Sequence, residues 1–394
     1  MTIANARSSG DGSPPPIGLQ LRNATIEDGS TVDVAIAGDR IASVEPAGSG
    51  ERDGAVEPIA EWGGSVDGGG STVDLGGMLL VPAPAEPHAH LDKALTAERV
   101  PNPAGDLLGA IDAWLAHRPT IGRADYIERA TAAALLGSAN GCTAIRTHVD
   151  LGLDIGHAGL EALLQVKQDL ADSIDIQLVG LLSGLSGVDG PKYLTLMREA
   201  LDLGLDVVGG VPHIEDDPAV AIDLTLELAG EYDRPVDLHA DENLDPASAD
   251  LETLADRVIT TGFGPPVVAS HCVALAMKSS SDQGRIADLV AEAGIAVVAL
   301  PQTNLYLQAR GVTTAPPRGL TALAELQRAG VTVAAGGDNL RDPFCPVGRA
   351  DPLEAASLLV MAGHQSPATA YRAVSEGARS AMGLEPATIR PGAP

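Results

Sequence analysis

Aromatic and basic residues are both scarce in this chain of 394 residues. With only 2 Trp, 2 Phe and 5 Tyr, it lacks the aromatic surface on which single-stranded nucleic acid stacks. Lys and Arg together number 25 against 53 Asp and Glu, which gives a formal net charge of −28. Because such an acidic surface repels phosphate groups and anionic lipids, nucleic acids and membrane surfaces are poor candidates as partners.

Long apolar runs and paired cysteines are also missing. No stretch of about 18 apolar residues predicts a membrane span, and the N-terminal segment MTIANARSSGDGSPPP lacks the apolar core of a secretion signal. The three cysteines, Cys142, Cys272 and Cys345, are odd in number and widely separated, which indicates reduced thiols. We therefore expect a cytoplasmic protein, and its 45% hydrophobic content suffices for a large core.

Changes in composition divide the chain into four segments. Residues 1–16 are rich in Ser, Gly and Pro and predict a flexible tail. Short alternating apolar runs with Asp-Gly and Gly-Asp turns predict a small β domain over residues 17–82, with a Gly-rich insert at Gly63–Ser71. The main domain is expected at 83–370, and a C-terminal helix that returns toward the β domain at 371–394.

Eight apolar runs after Pro82 have the length of buried strands, and amphipathic helical stretches separate them. The runs are MLLVPAPAEPHAH, Cys142–Val149, Asp175–Leu181, Asp206–His213, Val236–Asp241, Val267–Cys272, Ala296–Pro301 and Thr332–Asp338. This order favours an α/β fold with a TIM-type (β/α)8 barrel. An open, doubly wound sheet of eight strands is the alternative.

Histidines gather where the predicted strands end, which in a parallel barrel is the rim that carries active sites. The six are His88, His90, His148, His213, His239 and His271. His88 and His90 stand two residues apart on a strand and therefore face the same way, so that both can bind one metal ion. With His239 and Asp338 they make three imidazoles and a carboxylate, a set that suits one Zn²⁺ or Fe²⁺ ion with a position left for water.

Four separated motifs carry a resemblance to a known family. EPHAHLDK, DLHADENLD, ASHC and GGDNLRDPF resemble, in this order, the cytosine-deaminase branch of the amidohydrolase superfamily, from about residue 17 to the C-terminus. The resemblance implies a distorted barrel, with a small β-sandwich-like domain built mainly from the N-terminal segment, that hydrolyses C–N bonds of nitrogen heterocycles with one divalent metal ion. It also implies site residues. These are the ligands His88, His90, His239 and Asp338, the proton shuttle Glu242, and His271, which polarises the attacked group or the water.

The chemistry of the residues agrees with this implication. A bound metal ion lowers the pKa of water from near 16 to about 7, so that hydroxide is available to attack an amidine-like ring carbon. The departing amine must gain a proton, and Glu242 could deliver it. Asp338 could accept the proton that the attacking water loses. For Glu242 the alternative is an exposed loop carboxylate without a catalytic role. The leading hypothesis is a hydrolytic deaminase that releases ammonia from a small nitrogen heterocycle.

Several positions depart from the cytosine deaminases and predict a substrate other than cytosine. Ser183 stands where those enzymes have the glutamine that binds the pyrimidine amide edge, and Asn339 replaces an acidic residue. Lys93 and the DNLRD segment are similar to the isopropylaminohydrolases that act on N-isopropylammelide. Lys93 either supplies a cation at the rim or pairs with a carboxylate such as Asp92. Phe344 either stacks on the substrate or fills the core.

Other residues leave further alternatives open. His148 and His213 either support neighbouring groups or contact the substrate, and Gln308 and Arg310 are expected to face the pocket. No lysine stands at the end of the fourth predicted strand, where binuclear relatives carry a carboxylated one, so a single metal ion is expected. Cleavage of a substituted amine or a cyclic amide is the second hypothesis, and a non-catalytic metal-binding protein is the third.

The chain ends at RPGAP, about where the C-terminal strands of family members begin. Either the chain is truncated or its β domain consists of N-terminal strands alone. A truncated sheet would expose an edge strand, which favours a homo-oligomer.

Overall fold

A computed structural model describes residues 17–48, 57–58 and 71–394. The predicted tail at 1–16 and most of the Gly-rich insert lie outside the described residues. Two compact units are present, one from the residues up to Ala83 with Glu385–Pro394, and the other from Pro84–Leu384.

The smaller unit contains one mixed sheet, which confirms the β domain expected mainly from the N-terminal segment. Its strands are β1 (Ile17–Thr25), β2 (Thr31–Ala37), β3 (Arg40–Pro46), β4 (Glu57–Pro58) and β5 (Ser71–Asp74), in the order β3-β2-β1-β5-β4. The pairs β1–β2 and β2–β3 are antiparallel, and β5 runs parallel to β1 and β4. Val32 and Val34 alternate with more exposed residues in β2 and form its core with Ala24. The last residues of the chain join this unit, since the Ile41 amide donates to the Ala393 carbonyl.

The larger unit is a parallel barrel of eight strands, as predicted. The strands are β6 (Glu86–Ala89), β7 (Ala144–Asp150), β8 (Asp175–Leu181), β9 (Val207–Gly210), β10 (Val236–Ala240), β11 (Val267–His271), β12 (Ala296–Ala299) and β13 (Val333–Ala335). Each strand pairs with its neighbours in chain order. Beyond β13, Asp338 bridges to Ala89, and its amide donates to the His88 carbonyl at 3.1 Å. This contact closes the barrel, so the alternative of an open sheet is wrong.

Helices separate the strands and cover the barrel. They are α1 (Leu107–His117), α2 (Arg123–Ala139), α3 (Ala158–Asp169), α4 (Gly190–Leu203), α5 (Pro218–Glu231), α6 (Asp250–Thr261), α7 (Ser280–Glu292), α8 (Pro301–Leu307), α9 (Leu323–Arg328), α10 (Pro352–Met361), α11 (Pro367–Val374) and α12 (Glu376–Ala381). Local sequence sets their ends: the Asp217 side chain caps α5, whose first residue is Pro218, and Gly204 ends α4 with a positive φ. Among the described residues, no helix is long and apolar enough to cross a membrane.

The two faces of the barrel strands differ in polarity, and this difference positions the site. In β7, Ile145 and Val149 belong to the main apolar core with residues of the helices, whereas Arg146 reaches Asp237 of β10. Because strand residues alternate in direction, His148 and Asp150 share the inner side with Arg146. The inner side of β7 therefore holds polar side chains, and residues of the main apolar core lie on its outer side, toward the helices.

Gly209 offers a test of the packing inside this sheet. A Cβ atom at this position would lie 2.6 Å from Val179 Cγ1, 2.9 Å from the Gly180 carbonyl oxygen and 3.0 Å from that of Asp237. Two of these neighbours are backbone atoms and cannot move aside, so Gly209→Ala should lower the free energy of unfolding by about 1–3 kcal/mol. Thermal unfolding should show a loss of several degrees. The control is Gly264→Ala, because a Cβ there meets nothing within 4 Å among the described residues; equal melting temperatures for both variants would contradict the prediction.

Candidate active site

Four potential ligand atoms converge inside the rim of the barrel. The Nε2 atom of His239 lies 3.2 Å from that of His88 and 3.3 Å from that of His90. Asp338 Oδ1 lies 3.3 Å from His90 Nε2 and 3.6 Å from His88 Nε2. All four side chains are buried. Closure of the barrel produces this arrangement, because it brings Asp338 beside the strand that carries the first two histidines.

The convergent set fits a metal ion. Within the described part of the chain, both carboxylate oxygens of Asp338 are buried without a hydrogen-bond partner. Lone pairs this close repel each other unless a cation lies between them. Four ligand atoms about 2.0–2.1 Å from a tetrahedral centre would lie roughly 3.3–3.4 Å apart, close to the separations observed. Among the residues that the structure describes, the groups able to hold an ion are His88/His90/Asp338, His88/His239/His271 and His88/His148/Asp237.

A hydrogen-bonded chain fixes the orientation of His88. Ser270 donates its hydroxyl to Asp237 Oδ1 at 3.0 Å, so its oxygen accepts from His88 Nδ1 at 2.9 Å. Nδ1 therefore carries the proton, and the lone pair of Nε2 faces the other convergent atoms. Burial raises the pKa of Asp237 to about 6, although the guanidinium of Arg146, 3.0 Å from Oδ2, opposes the shift.

The group that includes His148 is a poorer metal site. Arg146 and Ser270 already occupy both oxygens of Asp237, and the guanidinium repels a second cation. His148 packs its ring 4.0 Å from that of His88, between centroids, and its pKa is lowered well below the usual value, mainly by burial. Within the described residues, His148 does not line the pocket that opens beside the convergent atoms. His148 therefore supports the ring of His88.

Glu242 and His271 form a pair beside the convergent atoms. Glu242 Oε1 lies 3.4 Å from His271 Nδ1, which also lies 3.1 Å from Asn304 Oδ1, and His271 Nε2 lies 4.0 Å from Asp338 Oδ2. Glu242 is only 4% exposed, which rules out the exposed loop carboxylate considered above. Burial, and then the charge of Asp338, raises the pKa of Glu242 well above its usual range. A buried carboxyl group with a raised pKa holds a proton more readily than a free glutamate does, as a proton-donating catalyst requires.

Several rim residues adopt a left-handed backbone that side chains other than glycine rarely take. They are Asp241 (φ 51°), His271 (φ 70°), Cys272 (φ 49°) and Asp338 (φ 64°). Hydrogen bonds hold the first of these turns: the Asp241 carboxylate accepts from the amide of Asp250 at 2.9 Å and the hydroxyl of Ser248 at 2.7 Å. Such conformations cost energy and persist where the surrounding structure enforces them.

A pocket of about 160 Å³ opens onto the convergent atoms. Its lining includes all five residues predicted to contact the substrate, which are Lys93, Ser183, His213, Asn339 and Phe344. It also includes Trp114, Arg118 and Asp150, which the sequence analysis missed, and an aliphatic side formed by Leu107, Ile111, Leu115, Leu182 and Val211. In the region described by the structure, Gln308 and Arg310 do not line it: Gln308 donates to the Glu242 carbonyl, and Arg310 stacks on Tyr306.

Lys93 combines both roles considered from the sequence, because it lines the pocket and is paired. Its ammonium donates to Asp150 Oδ1 at 2.8 Å and lies 3.4 Å from Asp92. The rings of Trp114 and Phe344 lie 5.5 and 5.9 Å from the same nitrogen. Although burial alone would lower the pKa of Lys93, the carboxylates of Asp150 and Asp92 raise it above its usual value. Lys93 is therefore a cation at the side of the pocket.

Two of the other residues predicted to contact the substrate, Asn339 and His213, already form hydrogen bonds with neighbouring groups. Asn339 donates its amide to Asp342 at 2.7 Å, and the other oxygen of Asp342 accepts from the Phe344 amide at 2.8 Å. His213 Nδ1 lies 3.2 Å from the His239 carbonyl oxygen and must donate to it, while burial lowers the pKa of His213 to about 4.

The polar residues that sequence reasoning missed had one usable signal. Asp237 precedes His239 by two residues, and Asp150 follows His148 by two, so each shares the inner side of its strand with a histidine. Trp114 gave no such signal: it lies on α1, and its indole nitrogen donates to Asp150 at 2.7 Å.

Known proteins with similar sequence or structure show where the chain belongs. A sequence model of the amidohydrolase family matches residues 123–394. Pterin deaminase from Rhizobium rhizogenes (strain K84) is 33% identical over 343 residues, which cover 86% of this chain and 72% of that protein. The structure of 5-methylcytosine deaminase from Klebsiella pneumoniae, liganded with 5-fluorocytosine, superposes with a TM-score of 0.81 at 30% identity, covering 92% of this chain and 86% of that one. For N-isopropylammelide isopropylaminohydrolase from Burkholderia multivorans the TM-score is 0.78 at 29% identity, with 96% and 90% covered.

These similarities extend over most of the chain and confirm the family that the four sequence motifs indicated. They also make the alternative of a non-catalytic metal-binding protein wrong. The chain belongs to the amidohydrolase family, in its cytosine-deaminase-like part, and it is a hydrolytic enzyme that acts on C–N bonds.

Proposed function

We propose that this enzyme removes an exocyclic amino group from a nitrogen heterocycle, releasing ammonia and leaving a ring carbonyl. The observation that carries the proposal is the buried carboxyl of Glu242, paired with His271 beside four convergent ligand atoms at a pocket of heterocycle size. The pterin and 5-methylcytosine deaminases among the similar proteins support it.

His88, His90, His239 and Asp338 would hold one divalent cation, Zn²⁺ or Fe²⁺. When bound, such an ion lowers the pKa of water toward neutrality and stabilises negative charge on the attacked group. The protein contributes orientation through the chain from His88 to Asp237, and it keeps the ligand side chains buried.

The remaining residues manage protons. In the reaction one water adds to the ring: its oxygen becomes the carbonyl, one of its protons goes to a ring nitrogen, and the other leaves with the amine as ammonia. Asp338 Oδ2 and His271 Nε2 lie 4.0 Å apart, and neither has a hydrogen-bond partner in the described residues. Either atom can accept the proton that the water loses when its oxygen attacks the ring. Glu242 passes a proton to the ring or the amine, because burial raises its pKa and favours its protonated form.

Lys93, Ser183, His213, Asn339 and Phe344 are proposed to bind the ring. Phe344 can stack on its face, and Lys93 offers an N–H donor to an oxo group or a ring nitrogen. Ser183 presents one hydroxyl, which cannot replace the two-point contact of a glutamine with a pyrimidine amide edge. The expected substrate is therefore a heterocycle other than cytosine.

Substituting one proposed ligand tests the metal site. Wild-type protein purified from medium containing Zn²⁺ or Fe²⁺ should hold about one equivalent by elemental analysis, and adding the ion to stripped protein should raise its melting temperature. His239→Asn should retain less than about a fifth of an equivalent, since the remaining ligands bind more weakly. His364→Asn is the control, because His364 is exposed and bonds Arg318. Full occupancy in His239→Asn would exclude His239 as a ligand.

Ammonia release tests the reaction and the role of Glu242. Wild-type enzyme should release ammonia from at least one member of a panel of aminopyrimidines, aminotriazines, pterins and cyclic guanidines, and a chelator should abolish release. Glu242→Gln should lower kcat by about 100-fold or more with metal content unchanged, because an amide cannot transfer the proton. The matched control is Glu252→Gln, which removes a surface carboxylate paired with Arg285. No release from any substrate by the metal-loaded protein would refute deamination.

Hydrolysis of an alkylated amine is a second candidate, favoured by the aliphatic side of the pocket. Ile111 and Leu115 of α1 face it together with Leu182, and the isopropylaminohydrolase supports the idea. If an N-alkyl group occupies this side, an N-isopropylaminotriazine should yield isopropylamine by mass spectrometry. Ile111→Asn should then lower kcat/KM for that substrate about tenfold, but not for the corresponding primary amine. Equal losses for both substrates would argue against an alkyl site.

A further inference from the structure

Three consecutive backbone amides after β8 point at a single carboxylate. Gly184 N and Leu185 N lie 2.5 and 3.1 Å from Glu215 Oε1, and Ser186 N lies 3.0 Å from Oε2. The hydroxyl of Ser186 donates to the same Oε2 at 2.9 Å. Successive N–H groups that converge in this way form an anion-binding concavity, and here the protein fills it with its own glutamate.

The loop is shaped for this contact. Gly184 has a φ of 93°, a left-handed conformation that favours glycine, and a Cβ there would lie 2.7 Å from the ring of Tyr193. Leu185, one residue further, is buried in the main apolar core. The Leu185 side chain therefore fixes the loop to the core, and the Glu215 carboxylate binds the backbone amides of the same loop.

Glu215 joins two loops that both border the pocket. It follows the short 3₁₀ helix Pro212–Ile214 after β9, and nearby the Asp217 amide donates to the Ser186 hydroxyl at 3.0 Å. The loop after β8 supplies Leu182 and Ser183 to the lining. The loop after β9 supplies Val211, His213 and Ile214. The two loops thus form one wall of the pocket, tied together behind it by these hydrogen bonds.

We infer that Glu215 is a positioning residue for substrate binding: its carboxylate holds this wall at the spacing that the ring requires. Glu215 is not among the described residues that line the pocket, so it acts through Ser183 and His213. The inference rests on the proposed function for its substrate, whereas the contact with the three amides is independent of it.

The charge and the shape of Glu215 make separable contributions. Gln has nearly the same shape but replaces one acceptor oxygen with an NH₂ group that faces N–H donors, and Ala removes the acceptor altogether. The loop then becomes mobile and must be ordered when the ring binds, which raises KM. The effect on kcat is small, because Glu242, His271 and Asp338 follow other strands.

Hydrogen exchange and kinetics of four variants test this inference. In Glu215→Gln and Glu215→Ala, amides 184–186 should exchange at least about tenfold faster than in the wild type, as expected when charge-assisted hydrogen bonds are lost. For a ring that the wild type hydrolyses, KM should rise about 5- to 20-fold with kcat changed less than about threefold. Glu215→Asp, which keeps the carboxylate, should recover part of both effects. Glu231→Gln, which removes an exposed carboxylate paired with Arg198, should change neither.

The outcomes separate this inference from the proposed function. If amides 184–186 exchange hydrogen in Glu215→Gln at the wild-type rate, the inference is overturned. Faster exchange with unchanged KM, or with a fall in kcat instead of a rise in KM, also overturns it, because the glutamate would then be merely structural. If the wild type releases no ammonia from any ring, the proposed function fails. The exchange measurement needs no turnover. In that case it still tests whether the Glu215 carboxylate fixes the backbone of residues 184–186.

Discussion

The contact between the first and last strands of the barrel determines where the chemistry can occur. Asp338 donates its amide to the His88 carbonyl, and the carboxylate of Glu86 accepts from the amides of both His88 and Gly337, at 3.2 and 2.8 Å. Burial raises the pKa of Glu86 to about 8, and its two amide donors oppose the shift. These bonds join segments about 250 residues apart and fix the carboxylate of Asp338 against the histidine pair.

The polar interior has an energetic consequence as well as a functional one. Arg146 and Asp237, like Lys93 and Asp150, are buried ion pairs whose partners also bond neighbouring groups. Removing one member of such a pair leaves an uncompensated charge, typically at a cost of about 3–5 kcal/mol. The same groups that orient His88 and shape the pocket are therefore tied to the stability of the barrel.

The strands and the convergent residues could be predicted from the sequence because both depend on short-range patterns. The eight strands are apolar runs of the right length, and His88, His90 and His239 stand at their ends. The strand order favoured a closed barrel and placed Asp338 after the last strand, but it left an open sheet as the alternative, since no local pattern specifies the pairing of β6 with the end of β13. Trp114 and Glu215 could not be found, because their partners lie in loops and strands that come together only in the folded chain. Arg310, expected at the pocket, stacks on Tyr306 instead, a contact between residues four apart that competes with the pocket.

The left-handed backbone at Asp241, His271, Cys272 and Asp338 bears on how this enzyme can be altered. Each such residue costs roughly 1–3 kcal/mol, which the apolar layer between strands and helices must offset. The reacting groups thus lie inside the barrel, whereas the outer shell between strands and helices supplies most of its apolar core. Mutations that strengthen the outer shell can accumulate without disturbing the reacting groups, whereas relaxing the strained rim would gain stability at the expense of turnover. For engineering or for natural divergence, the helices that do not line the pocket are the permissive region, and the strand ends and α1 are the restrictive one.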